Sequence, residues 1–341
     1  MSFPSAPAGP VARLSALLEG RSRLAIVTHY NPDGDAMGSS LGLAHVLRAN
    51  GFAVDVVVPN APAAFLNWLP GAADVLVFDR DREKATEALT NAGVVLCLDF
   101  NRQDRVGKAE EVLRSVPVKV LIDHHQDPED FAAVAFSDTS ACATCQMVYD
   151  IVCAMGLAQL IGPEAATCLY TGLVTDSGSF RFPSTKPHTM RVAADLMERG
   201  VNIEIVHGAI MDDNSEHRLR LLGFTLSERM TVLPELGTAI LQLSQEDLKR
   251  FNFAPGDTEG FVNYGLSIRG IRLAAFFMER PDVVKVSLRS KGDLPVDQFT
   301  REHFNGGGHR NAAGGQSGEG LKGTVQRFME LLPRFINDHP A

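Results

Sequence analysis

Apolar residues in the first half of the chain fall in short continuous runs rather than in strict alternation. Leu24 to His29, Val54 to Val58, Val75 to Phe78, Val94 to Leu98 and Val118 to Ile122 are rich in Val, Ile and Leu. Runs of this kind mark strands buried on both faces, as in a parallel sheet. Between the first two, Met37, Leu41, Ala44 and Leu47 recur at helical spacing, predicting a helix over Ala36 to Asn50 that ends at Gly51. Gly38 and Gly42 let that helix approach the sheet closely. Ala141 to Ala154 and Pro163 to Leu173 predict further helices, and the alternation of elements predicts an α/β domain.

The pattern then changes twice. Thr189 to Arg229 reads as helical and charge-rich, with apolar stripes of Met190, Ala193, Leu196 and Met197, then of Leu219, Leu222 and Leu226. From Thr231 onward, Thr238 to Leu243, Leu273 to Met278 and Val283 to Leu288 predict strands of mixed alternation, and Leu321 to Phe335 a closing helix. These changes divide the chain into a first domain over 1–187, a helical linker over 188–230, and a smaller α+β domain over 231–341. Met1 to Pro10 carries no positive charge and no long apolar core, so it reads as a short disordered lead-in rather than a secretory signal.

A length of 341 residues suits two domains. No apolar run approaches the roughly 20 residues of a membrane span, so no membrane partner is expected. The net charge of −9 speaks against a protein that coats long nucleic acid, because that mode rests on a basic face. It leaves an anionic small substrate open, since bound cations reverse the local field around acidic ligands. Cys142 and Cys145 have the spacing of half a zinc site, but no second pair completes it. With Cys97, Cys153 and Cys168 they read as reduced thiols, which points to the cytoplasm.

The candidate chemistry lies where apolar runs stop. His29-Tyr30-Asn31-Pro32-Asp33-Gly34-Asp35-Ala36 follows the first run, Asp99 the fourth and Asp123-His124-His125 the fifth, while Asp176 follows the apolar segment Leu169 to Val174. Ligands of open parallel sheets gather beyond the carboxyl ends of the strands. Carboxylate oxygen with imidazole nitrogen suits divalent ions such as manganese. Taken singly, each of these residues has an ordinary explanation: Asn31-Pro32 and Asp33-Gly34 are turn dipeptides, and Asp35 can cap a helix. Their accumulation at four segment ends does not. Asp33 and Asp35, two residues apart, project to the same side if that loop is extended.

His29-x-Asn31-Pro32-Asp33-Gly34-Asp35-Ala36, Asp99, Asp123-His124-His125 and Asp176 resemble the four ordered motifs of the DHH phosphoesterase superfamily. Gly306-Gly307-Gly308-His309 resembles the signature of its associated substrate-binding domain. The resemblance covers nearly the whole chain and is strongest to the stand-alone nano-RNase and 3′-phosphoadenosine-5′-phosphate (pAp) phosphatase group. It implies a parallel-sheet phosphoesterase domain joined by a helical linker to an α+β substrate-binding domain. It also implies two divalent metal ions, Mn2+ by preference. His29, Asp33 and Asp99 would hold one ion, and Asp35, Asp99, His124 and Asp176 the other, with Asp99 as the bridge. Two ions about 3.5–4 Å apart share a water, lower its pKa and clamp both oxygens of an in-line displacement.

By the same analogy Asp99 and His125 are catalytic, His125 facing the substrate. In the second domain consecutive backbone N–H groups at Gly306, Gly307 and Gly308 form an anion-binding run. His309 with Arg310, and Arg289 with Ser290, would add contacts to phosphate. Arg105 is a further candidate; Arg102 and Arg269 are alternatives to it. The implied partners are short oligoribonucleotides or small nucleotides, with a homodimer among the expected assemblies. Cyclic di-AMP or linear pApA phosphodiesterase activity is the alternative within the class, because the motifs are shared. An inorganic pyrophosphatase uses similar first-domain motifs, but the glycine-His signature speaks for a nucleotide. A regulatory protein with a degenerate site would lack Asp33, Asp35, Asp99 or His124, and all four are present.

Overall fold

The computed structural model describes residues 6–340, which form two compact units meeting in sequence at Asp213 and Asn214. In the first, strands β1 (Arg23–Thr28), β2 (Ala53–Val58), β3 (Leu76–Val77), β4 (Val94–Leu98), β5 (Lys119–Asp123) and β6 (Val134–Ser137) form one sheet. Its order is β3-β2-β1-β4-β5-β6 and every pair is parallel. Helices α1 (Ala8–Leu18), α2 (Gly34–Ala49), α3 (Arg82–Thr90), α4 (Glu110–Ser115), α5 (Thr144–Ala154), α6 (Pro163–Asp176), α7 (Pro187–Glu198) and α8 (Ile203–His207) accompany it. Leu24, Ile26, Leu96, Leu98, Val120 and Ile122 share one core with residues of α1, α2, α5, α6 and α7. Ala25, Val27, Val95, Cys97 and Leu121 share another with α3 and α4. Burial on both faces is why these strands read as continuous apolar runs. The strand order reverses between β1 and β4, which opens a crevice at their carboxyl ends.

Several elements differ from the sequence reading. The glycines of α2 serve its packing on α6 rather than on the sheet: a Cβ on Gly38 would lie 2.5 Å from the Cys168 carbonyl oxygen, and one on Gly34 2.4 Å from the Thr175 hydroxyl. The helix predicted to end at Leu173 runs on as α6 to Asp176, so that acidic residue is its last helical residue. The edge strand β6 is short and alternates, which hides it among loop residues. Ala8 to Pro10 open α1 instead of extending a lead-in, while residues 1–5 lie outside the described residues. On α7 the buried positions are Thr189, Val192, Ala193 and Leu196, leaving Met190 and Met197 exposed.

The second unit contains β7 (Met230–Leu233), β8 (Thr238–Leu243), β9 (Leu273–Glu279), β10 (Val284–Ser290), β11 (Gly307–His309) and β12 (Ala312–Ser317). They pair in the order β11-β12-β10-β9-β8-β7, with β8 and β9 parallel and the other pairs antiparallel. Its helices are α9 (Glu216–Glu228), α10 (Gln245–Arg250), α11 (Phe261–Leu266), α12 (Val296–His303) and α13 (Gly320–Asp338). Phe277, Phe299 and Phe328 fill one face of the sheet beneath α12 and α13. Leu241, Phe261 and Phe276 fill part of the other. On α9 the buried residues are Leu221 and Thr225, and Leu219 is exposed. The helical stretch 188–230 is thus shared, α7 and α8 lying in the first unit and α9 in the second. No helix among the described residues is long and apolar enough to cross a membrane.

Candidate metal centre

The carboxyl ends of β1, β4 and β5 carry His29, Asp99 and Asp123-His124-His125 into the crevice. Asp33 is the N-cap of α2, its Oδ1 accepting from the Asp35 N–H at 3.0 Å and the Ala36 N–H at 3.1 Å. Asp35 is therefore not the cap and does not lie in an extended loop. It sits in the first helical turn, buried, and turns to a different set of partners from Asp33.

Two groups of ligand atoms result. His29 Nε2 lies 3.5 Å from Asp99 Oδ2 and 3.9 Å from Asp33 Oδ1. His124 Nε2 lies 3.5 Å from Asp99 Oδ1, 3.7 Å from Asp35 Oδ2 and 3.5 Å from Asp176 Oδ2. Asp99 thus turns one carboxylate oxygen to each group. Its backbone φ of 65° lies in the left-handed region, which Asp tolerates better than most residues. Both histidines are oriented through their other nitrogen: Nδ1 of His29 lies 2.9 Å from the Tyr30 carbonyl oxygen, and Nδ1 of His124 lies 3.4 Å from that of Ala141. Donation from Nδ1 leaves Nε2 as the ligand atom, the usual arrangement for a metal-bound imidazole.

His125 is held differently. Its Nδ1 lies 2.7 Å from Asp123 Oδ1, and its backbone N–H donates to Asp123 Oδ2 at 3.1 Å. Asp123 is fully buried, so the pair fixes the ring rather than forming a loose surface contact. Asp35 is fixed from the opposite side by the start of α5. The Thr144 N–H donates to its Oδ2 at 2.6 Å and the Cys145 N–H to its Oδ1 at 2.9 Å. Helix N-termini favour such anions. Gly172 makes the room, since a Cβ there would stand 2.9 Å from Asp35 Oδ1.

Crowding of buried carboxylates dominates the electrostatics. Burial, with Asp99 and Asp176 nearby, raises the Asp35 carboxyl well above its usual value. Burial also pushes Asp176 up to about 7, against the opposing pull of His124. For His124, burial works against the charged form, but Asp176, Asp99 and Asp35 outweigh it and raise the imidazole to about 9. Burial would likewise raise Asp99, yet His29, His125 and His124 hold it well below the carboxylate range. So many acidic groups in one buried place are stable as anions only beside compensating positive charge. Oxygen-rich ligands with imidazole nitrogen fit divalent cations, and the residues present suit such ions.

Other sequence candidates are distributed as follows. Arg102 is engaged by Asp104 at 2.9 Å, whereas Arg105 lies close enough to His29 to oppose its protonation. Arg269 is exposed beyond α11. In the second unit, Arg289 is half-buried on β10, and its Nη1 donates to the Leu288 carbonyl oxygen at 3.0 Å. The neighbouring Ser290 is buried among internal partners: it donates to the Leu294 carbonyl oxygen at 2.7 Å and accepts from Asn311 Nδ2 at 2.9 Å. Arg310 is tied to Asp293.

Gly306 to His309 is not an open loop of consecutive donors. The Gly306 N–H donates to Thr300 O at 3.1 Å, and Gly307 to His309 form β11. A Cβ on Gly306 would lie 2.1 Å from Gly314 O and one on Gly308 2.6 Å from Ala312 O, so close strand packing demands both glycines. Gly307 alone faces space, with nothing within 4 Å of its notional Cβ.

Asp123 orients His125, and the Thr144 and Cys145 N–H groups hold Asp35, roles that no pattern in the sequence assigns. Asp123 was visible in the motif, but its bond to His125 depends on the bend after β5. Thr144 and Cys145 begin a helix without any ligand motif, and no sequence signal marks them.

Imidazole–carboxylate clusters at the switch point of a parallel sheet make a candidate site for divalent cations. The chain belongs to the DHH family: the DHH family, N-terminal domain matches residues 23–173 and the DHHA1 domain matches residues 238–338. It is 33% identical over 330 residues to a bifunctional oligoribonuclease and PAP phosphatase NrnA of Thermus thermophilus, covering 94% of this chain and 92% of that protein. It is 28% identical to the protein of the same description from Bacillus subtilis, over 84% of this chain and 86% of the relative. A crystal structure of an exopolyphosphatase-related protein from Bacteroides fragilis superposes with a TM-score of 0.94 at 36% identity, covering 98% of this chain and 99% of that one.

Proposed function

We propose that the protein is a manganese-dependent hydrolase that releases mononucleotides from very short RNA and converts pAp to AMP. Similarity over most of the chain to two bifunctional oligoribonucleases and PAP phosphatases supports the substrates, and Asp99, whose two oxygens face two separate ligand groups, supports the metal chemistry. In this assignment His29, Asp33 and Asp99 hold one ion, and Asp35, Asp99, His124 and Asp176 hold the other. Two bound divalent ions would supply a nucleophile from water at neutral pH and offset charge on the phosphoryl group. Manganese is favoured because the donors are oxygen-rich with imidazole and include no thiolate.

The remaining steps belong to the chain's own side chains. Asp123 fixes the His125 ring, and His125 donates to the phosphoryl group or protonates the leaving oxygen. Arg105 supplies positive charge beside the first ligand group. In the second unit, Arg289, His309 and the open face of Gly307 hold the substrate phosphate and sugar. Gly306 and Gly308 shape β11 behind them, and Ser290 supports this strand end through Asn311. Short substrates are favoured because the chain is acidic and has one Trp and four Tyr, a poor composition for a long basic, aromatic groove. Five free cysteines, four of them buried, fit a reducing cytoplasm. A homodimer is the assembly proposed, with the exposed Met190, Met197, Ile203 and Ile205 of α7 and α8 as candidate contact residues.

The test is a substrate panel on metal-stripped protein reloaded with manganese: pAp, a dinucleotide, cyclic di-AMP and linear pApA. Turnover of pAp and the dinucleotide supports the reading. Turnover confined to cyclic di-AMP or pApA replaces it with the phosphodiesterase alternative.

A further inference from the structure

Thr144 makes two contacts that no other residue described around the centre combines. Its backbone N–H donates to Asp35 Oδ2 at 2.6 Å, and its hydroxyl donates to Asp99 Oδ1 at 2.9 Å. The side chain is fully buried, in a place where an unsatisfied hydroxyl would be costly. Asp99 Oδ1 is the oxygen that faces His124; Oδ2 is the one that faces His29. A carboxylate at a strand end can rotate about its χ2, and rotation would exchange or misdirect these oxygens. The hydroxyl donor on Oδ1 opposes that rotation.

We infer that Thr144 is a positioning residue that locks the Asp99 carboxylate with one oxygen toward each ligand group and joins Asp99 to Asp35 through the first turn of α5. The inference rests on the proposed bridging role of Asp99. Its rationale is mechanical as well as electrostatic. Helix α5 is rooted in the core by Val148, Ile151 and Val152, so its first residue is a rigid mount rather than a mobile loop. The two carboxylates it grips lie on β4's end and on α2, elements well separated in sequence. Partners that orient ligating carboxylates in this way typically change metal affinity by about 10–100-fold when removed.

The experiment compares Thr144→Val with Thr144→Ser in the full-length protein. Val keeps the β-branched shape and the backbone N–H but removes the hydroxyl; Ser keeps the hydroxyl and removes the methyl group. Manganese binding to metal-stripped protein is followed by calorimetry, and the spin coupling between bound manganese ions by electron paramagnetic resonance. Thr144→Val is expected to weaken uptake of one ion by about 10–100-fold and to diminish the coupled signal, with Thr144→Ser close to the wild type. Wild-type affinity and coupling in Thr144→Val would overturn the inference. So would equal losses in both variants, which would assign the effect to packing. A wild-type protein that takes up only one ion would refute the two-ion reading itself. Thr144→Val would then be judged on that ion, and unchanged affinity would overturn the positioning role as well.

Discussion

Asp99 concentrates the features on which the chemistry depends: a strand end, a left-handed backbone and a buried carboxylate facing two ligand groups. Replacing it by Ala should therefore harm more than loss of Asp33, which is half-exposed and touches one group. Turnover is expected to fall by at least ~10²-fold, the scale of losing a principal electrostatic contact to the transition state. Metal analysis of the same variant should show fewer bound ions. Near-normal turnover with a full complement of metal would show that Asp99 is not the bridge. At this scale the ligand types were legible because each stands at the end of an apolar run. Their orienting groups were not, since Asp123, Thr144 and the Tyr30 and Ala141 carbonyls acquire their roles only through distances between segments remote in sequence.

The packing of α2 against α6 reverses the usual sense of a glycine substitution. In an open helix, Gly→Ala stabilises by about 0.5–1 kcal/mol. That gain is expected at Gly223 in α9, which is exposed and has nothing within 4 Å of a notional Cβ. At Gly38 the new methyl would meet the Cys168 carbonyl oxygen, and a net loss of about 1–3 kcal/mol is expected. Chemical denaturation of both variants checks the opposite signs; stabilisation by Gly38→Ala would mean that α2 and α6 part freely. The glycines were legible in the sequence, but their partner helix was not, because spacing reveals a face and not what covers it.

Helices α5 and α7 share a polar contact in which His188 Nε2 lies 2.8 Å from Asp150 Oδ1. Burial raises the Asp150 carboxyl to about 6, with His188 pulling the other way. A folded value above the unfolded 3.8 means that the native state keeps this proton longer, so the associated stability is present below about pH 4 and lost as pH rises to about 6. Asp150→Asn abolishes that titration while keeping an acceptor for His188. The thermal midpoint of the variant minus that of the wild type should thus increase between pH 4 and 6. A flat difference would refute the raised carboxyl.

On the scale of the whole molecule, the proposed assignment puts the cation ligands in the first unit and the substrate contacts in the second, on the sheet that carries Arg289 and the β11 glycines. Arg289→Ala and His309→Ala should leave metal content intact while raising KM or lowering turnover on nucleotides, because lost phosphate contacts misplace the scissile bond. Loss of metal in either variant would contradict that division. The parallel sheet was readable from its doubly buried runs. The second sheet was only half readable, since β11 and β12 are built from Gly, Ala and polar residues that carry no strand signal. Hydrolysis of very short oligoribonucleotides is tested by turnover against substrate length. A dinucleotide, a pentanucleotide and a long single-stranded RNA are compared at equal concentration in manganese, with Asp99→Ala as the blank. Fast release of mononucleotides from the two short substrates and little from the long one is expected; equal or faster degradation of the long RNA would refute the proposed function.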